Sequence, residues 1–324
     1  MTLRSLQVAL AAAVTLQSGF AWPQQPARVP VVGMLITHAA MNDPVFDYFR
    51  VGLREHGYED GYNIRLEIVT AEGQLDRLPA LAEQLVRDKV DVIVSPNELS
   101  ARAALKATST TPIVLAAFGS DPVALGLVDS LDRPGGNITG TYTLSTELAG
   151  KRLEILKEAL PTVWRIAVLW DPAFGAQHDE LQRAAQSLGL QLEFIEIRSP
   201  QDLDAAFERA KRKKTRAVML MRSSILYVQR ARVASLALDA RLPTVSSLNS
   251  AVEAGALMSY GPDLSGTYRR AAYFVDRLLK GAKARDLPVE QVSDLKLAIN
   301  LRTARALGIT IPESILLRAD EVIR

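Results

Sequence analysis

RIAVLW, residues Arg165–Trp170, begins the sequence a second time. It is short and almost wholly apolar, and it stands where RVPVVGMLIT (Arg28–Thr37) stood earlier. After Arg28–Thr37 come a helix-spaced segment, Pro44–His56, and an alternating run, Tyr62–Thr70. A helical Leu75–Lys89, an apolar Asp91–Ser95, a short helical Ser100–Ala107 and an apolar Pro112–Phe118 follow. After Arg165–Trp170 come helical Gln177–Leu188, alternating Gln191–Arg198, helical Pro200–Lys213 and apolar Ala217–Met221. A helix closing at Ser235–Ala240 and a strand, Leu242–Val245, complete the second pass. The passes are offset by roughly 130 residues and read as two copies of one unit. Strands that are apolar throughout, alternating with helices, make a parallel sheet covered on both faces. The expected class is therefore α/β, with two doubly wound parallel-sheet lobes.

The connections complete the picture. Asn137–Leu144, NITGTYTL, links the first pass to the second. Gly255–Pro262 leads into a helix, Leu264–Leu279, with an apolar stripe of Ala271, Phe274, Val275 and Leu278. A helix placed so late returns to the first lobe, which gives three crossings and a hinge. The predicted division is 29–142 plus 257–286 for one lobe, and 143–256 plus 287–324 for the other.

Composition narrows the partners. A chain of 324 residues has room for two domains. Lysine and arginine total 38 against 36 acidic residues, so a net charge of +2 exerts no general pull on nucleic acid or anionic lipid. Aromatic residues are 6% of the chain, too few for a base-stacking platform. The absence of cysteine excludes disulfides, thiol nucleophiles, cysteine-bound metals and a lipid-modified cysteine. The first 21 residues read as a signal peptide: Arg4 is the positive start, Leu6–Leu16 the apolar stretch, and Gly19 and Ala21 the small residues before cleavage at Trp22. The mature chain is expected in a periplasm, exported and without a lipid anchor.

In open parallel sheets, ligands sit beyond the carboxyl ends of the strands. In the first pass those ends offer Thr37, His38, Asn42, Pro96, Asn97, Phe118, Gly119, Ser120 and Asp121. In the second they offer Asp171, Phe174, Arg222, Ser223, Ser224, Ser247 and Asn249. Asp121-Pro122 reads as the cap and first turn of a helix whose amides face the cleft and attract anionic groups, with Pro134-Gly135-Gly136 ending it. Asp121 is alternatively a cap alone. Arg222 is either a clamp for a ligand carboxylate or a surface residue. Phe46, Phe118, Phe174 and Tyr260 are either walls for an apolar ligand or ordinary core. His38, His56 and His178 share no metal spacing, and His56 and His178 read as surface residues. No nucleophile elbow or phosphate-binding glycine loop is present, and no cofactor is expected. The basic run Glu208–Arg216 reads as a solvated helix end.

Several segments carry a family resemblance: LREHGYEDGYNI (Leu53–Ile64), DRLPALAEQLVRDKVDVIV (Asp76–Val94), DPVALGLVDSLDRPGGNITG (Asp121–Gly140), LAGKRLEILKEALP (Leu148–Pro161) and AGALMSYGPD (Ala254–Asp263). INLRTARALGITIP and LLRADEVI extend it to the end. Together they resemble the bacterial ABC-transporter substrate-binding proteins of the tryptophan/tyrosine type. The resemblance implies a type I periplasmic-binding fold, no enzymatic activity, a small-molecule solute bound between the lobes, a membrane permease as partner, and a monomer. Amino-acid-binding members commonly offer an acidic group to the ligand ammonium near the strand end occupied here by Met221-Arg222-Ser223-Ser224, and this sequence has none there. Glu98, Asp121 or Asp171 would have to substitute, or the ligand is a carboxylate without an amine. A sensor presenting solute to a membrane receptor, and an exported α/β enzyme, are the alternative readings.

Overall fold

The computed structural model describes residues 28–37, 43–143, 145–174 and 178–324, with the backbone alone at 145–147. The expected signal peptide, His38 and Asn42 lie outside the described residues. The first pass forms β1 (Val31–Ile36), α1 (Pro44–Glu55), β2 (Arg65–Thr70), α2 (Leu78–Arg87), β3 (Val92–Ser95), α3 (Glu98–Ala107), β4 (Ile113–Phe118) and β5 (Ile138–Tyr142). The second forms α4 (Ser145–Ala159), β6 (Arg165–Trp170), α5 (His178–Ser187), β7 (Gln191–Glu196), α6 (Asp202–Arg212) and β8 (Ala217–Leu220). It continues through α7 (Ser224–Val228), α8 (Arg230–Asp239), β9 (Thr244–Ser246), α9 (Asn249–Glu253) and β10 (Met258–Pro262). The tail supplies α10 (Leu264–Leu279), β11 (Val289–Gln291), β12 (Leu295–Asn300), α11 (Leu301–Leu307), α12 (Glu313–Leu316) and β13 (Glu321–Ile323).

Two sheets result. The first runs β11-β5-β4-β3-β1-β2, all parallel. The second runs β13-β12-β10-β9-β8-β6-β7, parallel except where β12 returns antiparallel to β10. Within each, the first five strands of the pass take the same spatial order, second-first-third-fourth-fifth, so the repeat read in sequence is a repeat of topology. Each sheet has helices on both faces. On the first, Leu78, Ala82, Leu85 and Ala104 pack one side, and Phe46, Phe49, Leu53 and Phe274 the other. On the second, Leu153 and Leu156 oppose Leu203, Phe207 and Val233 across the strands. Burial of these side chains, about 1.5–3 kcal/mol each, is what holds helices to sheet.

The helix α10 belongs to the first lobe by its packing: Ala271, Ala272 and Phe274 sit in one core with Phe46 and Phe49 of α1. A Cβ at Gly52 would lie 2.7 Å from the Arg269 Cα, so the two helices meet backbone to backbone. The chain thus crosses between lobes after β5, between β10 and α10, and between β11 and β12. The strand pairings move two of the expected exchange points. β10 stays in the second sheet, because Met258 and Ser259 pair with Val245 and Ser246. β11 joins the first sheet, with Val289 opposite Gly140.

One predicted element is absent. Residues 122–126 form a hydrogen-bonded turn, and no helix follows Asp121. The Asp121 carboxylate does accept from the Val123 and Ala124 amides, so the capping chemistry is real. Gly126, at φ +66°, then turns the chain in the left-handed region, and Leu127 and Val128 are drawn into the first core. A single capped turn carries no macrodipole, so the expected anion-attracting helix start does not exist there.

Candidate functional site

The two lobes face each other through the carboxyl ends of their strands. In each sheet the crevice lies where strand order reverses, between the first and third strands of the pass. From the first lobe this brings Thr37 after β1 and Pro96 and Asn97 after β3. From the second it brings Asp171 after β6 and Met221 and Arg222 after β8. Between them lies a cavity of about 130 Å³, mostly apolar in its walls. That is many times the ~10–15 Å³ that one water requires.

Thr37, Pro96, Asn97, Phe174, Arg222, Ser223, Ser224 and Ser247 line this cavity. Gly119, Ser120 and Asp171 line a smaller one of about 40 Å³, which shares Phe174, Met221 and Arg222 with the first. Three expected residues, Phe118, Asn249 and Asp121, fall elsewhere. Phe118 is fully buried in the first core, because β4 turns its side chain toward α2 and α3. Asn249 bonds Glu253 and Glu321 through its Nδ2 and lies on the outer side of α9. Asp121 lines neither cavity, its carboxylate being used by its own turn. Phe46 is core, and Tyr260 contributes its carbonyl to Arg152. His178 is no surface residue: its ring lies 4.3 Å from that of Trp170 and 4.1 Å from that of Phe194, on the wall of the smaller cavity. Among the described residues no group of acidic and histidine side chains could hold a metal ion.

Arg222 is not the free surface residue that was one of the two sequence readings. Its Nη2 donates to the Ala117 carbonyl at 2.7 Å and to the Pro96 carbonyl at 3.1 Å, both in the opposite lobe. Ala117 reaches that position through local strain. It has φ +54°, and the pairing of β4 with β5 slips between Leu115 and Phe118. Gly119 makes room: a Cβ there would lie 2.5 Å from Arg222 Nη1. Burial pushes the guanidinium pKa down from its usual value.

Two further hydrogen bonds join the lobes. Tyr227 OH donates to Asp43 Oδ1 at 2.7 Å, and the Thr37 and Ser224 hydroxyls are 3.1 Å apart. Asp43 also caps α1 through the Val45 amide. Asn97 caps α3 through the Ser100 amide and donates to Thr37, which fixes the first-lobe rim. Ser223 caps α7 and donates to Asp171 at 2.8 Å, which fixes the other. Burial, then the Asp43 charge, holds the Tyr227 and Tyr268 phenols well above the usual range, so both stay neutral donors.

Sequence reading missed the walls that helices supply. Val45 of α1, Leu226 and Tyr227 of α7, Arg230 of α8, and Leu264 and Tyr268 of α10 all face the cavity. The SIL-Tyr227 segment after the Ser223 cap was the available signal. A helix starting at a strand end must present its first turn to the cleft. Arg152 was also missed. It is 2% exposed, and its Nε donates to the Tyr260 carbonyl at 2.8 Å.

The comparisons fit this geometry. The profile of the family described as ABC transporter substrate binding protein matches residues 29–323. A tyrosine-binding protein of Clostridioides difficile (strain R20291) is 28% identical over 280 residues, 85% of this chain and 79% of that one. A Streptococcus pneumonia ABC domain in complex with L-Trp superposes with a TM-score of 0.82 at 28% identity, covering 91% of this chain and 99% of that one. A ligand-free, open substrate binding protein with adhesive properties from Clostridium difficile gives 0.64 at 25% identity, covering 91% and 99%. The lobes here are thus arranged more as in the ligand complex than as in the open protein. The architecture is the type I periplasmic-binding fold, and the family is one of solute-binding proteins, not enzymes. With nearly every described residue inside the match, the chain belongs to the ABC transporter substrate binding protein family.

Proposed function

We propose that this protein is the periplasmic receptor of an ABC importer, exported by its first 21 residues, and that it binds a small organic solute, an amino acid or a carboxylate, between its lobes. The observation that carries the reading is the cavity at the facing strand ends, closed over by Arg222 reaching to Ala117 and Pro96. A receptor must close on its ligand and reopen, and closure must come from contacts made only when the lobes meet. The bonds from Arg222, Tyr227 and Ser224 to the first lobe are contacts of that kind. The three crossings are the natural hinge, and the closed form, as a monomer, is what docks on a membrane permease. The relatives' tyrosine and L-Trp make an amino-acid-sized solute with an apolar body the reference ligand. Among the described residues no helix is long and apolar enough to cross a membrane.

The test is to purify the protein natively, release what it carries, and identify it by mass spectrometry. The compound should then raise the melting temperature of the stripped protein in proportion to its concentration. A stripped protein that shifts with no amino acid or carboxylate, and that carried nothing, refutes the reading.

A further inference from the structure

The cavity has an unbalanced charge. Arg222 and Arg230 line it, and no aspartate or glutamate does. Arg152 adds a third guanidinium close enough to Arg222 to depress its own pKa. None of the three is in an ion pair among the described residues. Arg222 spends Nη2 on two carbonyls and leaves Nη1 and Nε without an acceptor among the described residues. Arg152 Nη2 is buried with no acceptor at all. Arg230 donates Nη1 to the Tyr227 carbonyl and lies 4.8 Å over that residue's ring.

The carboxylates around the cleft are already engaged. Glu98 is paired with Arg102 at 2.7 Å. Asp43 holds the Val45 amide and the Tyr227 hydroxyl. Asp171 holds the Ser223 hydroxyl and the Ala173 amide. Asp263 caps α10 through the Ser265 amide. Residues 38–42 and 175–177 contain no acidic side chain, and Glu147 is the one acidic residue whose side chain is outside those described, so the carboxylates named are those of the described residues. A ligand ammonium would enter a cavity with positive groups on its wall and no carboxylate there to meet it, and burying such a charge unpaired is strongly unfavourable.

We propose that the site selects net-anionic solutes, a carboxylate on an apolar body without an α-ammonium group, with Arg222 as the carboxylate's partner and Arg152 and Arg230 as the surrounding positive charge. This rests on the receptor reading and narrows it. The carboxylate accepts from Arg222 where that side chain lines the main cavity, on the side away from Glu98 and Asp171 of the smaller one, and the body lies along Leu226, Tyr227, Leu264 and Tyr268. Ser224 lines the cavity next to Arg222, its hydroxyl paired with that of Thr37.

The test uses matched sets on the stripped, full mature protein by calorimetry: indole-3-propionate, L-tryptophan and tryptamine, then 3-phenylpropionate, L-phenylalanine and phenethylamine. The propionates should bind on the order of 10- to 100-fold tighter than the amino acids, the worth of one charge-assisted contact, and the amines should not bind. Arg222→Gln should collapse the propionate-to-amino-acid ratio toward one. The ratio is the readout because Arg222 also joins the lobes, and weaker closure lowers every affinity alike. Amino acids binding as tightly as the propionates overturn the charge selection and leave the receptor reading intact. Failure of both sets at millimolar concentration also overturns it; the receptor reading then stands or falls on the compounds released from the native protein.

Discussion

Replacing Arg152 with methionine should make the empty protein more stable and its response to an anionic solute weaker. Burial, together with the Arg222 charge, pushes the Arg152 pKa down from the usual guanidinium range to about 10. At 1.36 kcal/mol per pKa unit, that displacement corresponds to ~3 kcal/mol of unfavourable charge burial. The sign follows from linkage. A base whose pKa falls on folding binds protons less well in the native state, so its charge destabilises the fold fully below about pH 10. The penalty fades as pH rises from there toward the ordinary guanidinium range, and at pH 7 it is present in full. Against this, methionine loses the Nε bond to the Tyr260 carbonyl and leaves that acceptor unsatisfied, a cost of about 1–2 kcal/mol. Methionine otherwise fills the channel beside α4 with a flexible apolar chain. The net is a gain of ~1–2 kcal/mol, or a rise in melting temperature of roughly 2–5 °C.

The assay is calorimetric melting of stripped wild type and Arg152→Met at pH 7, each alone and with saturating 3-phenylpropionate. The variant should melt higher alone, and its shift on adding ligand should be smaller, because the ligand no longer relieves an uncompensated cation. A variant that melts at or below wild type alone would show that Arg152 is already compensated in the native state. The inference of a net-positive cleft would then lose one of its three supports.

Tyr227→Phe removes the 2.7 Å bond to Asp43 across the cleft, worth ~1.5–3 kcal/mol to a charged acceptor. X-ray scattering should report a larger radius of gyration for the empty variant, and an anionic ligand should weaken by roughly tenfold or more. Gly119→Ala drives a methyl to 2.5 Å from Arg222 Nη1; it should abolish carboxylate binding while circular dichroism and the melting profile stay close to wild type. Asn249→Ala, by contrast, touches a residue whose side chain bonds Glu253 and Glu321, and calorimetry should find solute affinity changed by less than about twofold.

Most of the fold was legible because parallel strands buried on both faces are apolar along their whole length. β1, β4 and β8 are buried at every position, and the sequence shows each as an uninterrupted run. β5 was read as a link for the opposite reason. It is buried throughout yet written ITGTY, and its threonines hide among the apolar neighbours by bonding backbone carbonyls, Thr139 to Leu287 and Pro288 and Thr141 to Leu115. The exchange points at β10 and β11 escaped because they depend on which strand pairs with which, a choice that local pattern does not encode. Asp121-Pro122 was misread for a reason of scale: a cap signature reports the first turn only, and Gly126 decided the rest.

The site divides the same way. Thr37, Asn97, Arg222 and Ser223 were found because topology alone delivers strand ends to the crevice. Tyr227 and Tyr268 were missed because they reach it from helices whose placement is tertiary, and Arg152 because it is buried behind the cavity walls on α4. That division bears on what the ligand does. The net charge of +2 excludes broad electrostatic partners, yet Arg152, Arg222 and Arg230 come from three separate elements and make the cleft positive against a balanced surface.

Arg222 then has two tasks at one guanidinium. It joins the lobes through Nη2 and, in the proposed complex, faces the solute with its remaining N–H groups, and it does the first only at the desolvation cost that lowers its pKa. An anion at those groups offsets that cost in the closed form, where the guanidinium is dry. In the open form water already solvates the charge, and the same anion gains little. The solute therefore binds the closed form better than the open one, and that differential is the thermodynamic requirement for a ligand to shut the cleft. A neutral or zwitterionic solute of equal shape supplies less of it. Recognition of charge and closure of the lobes are, on this account, the same interaction measured from two sides.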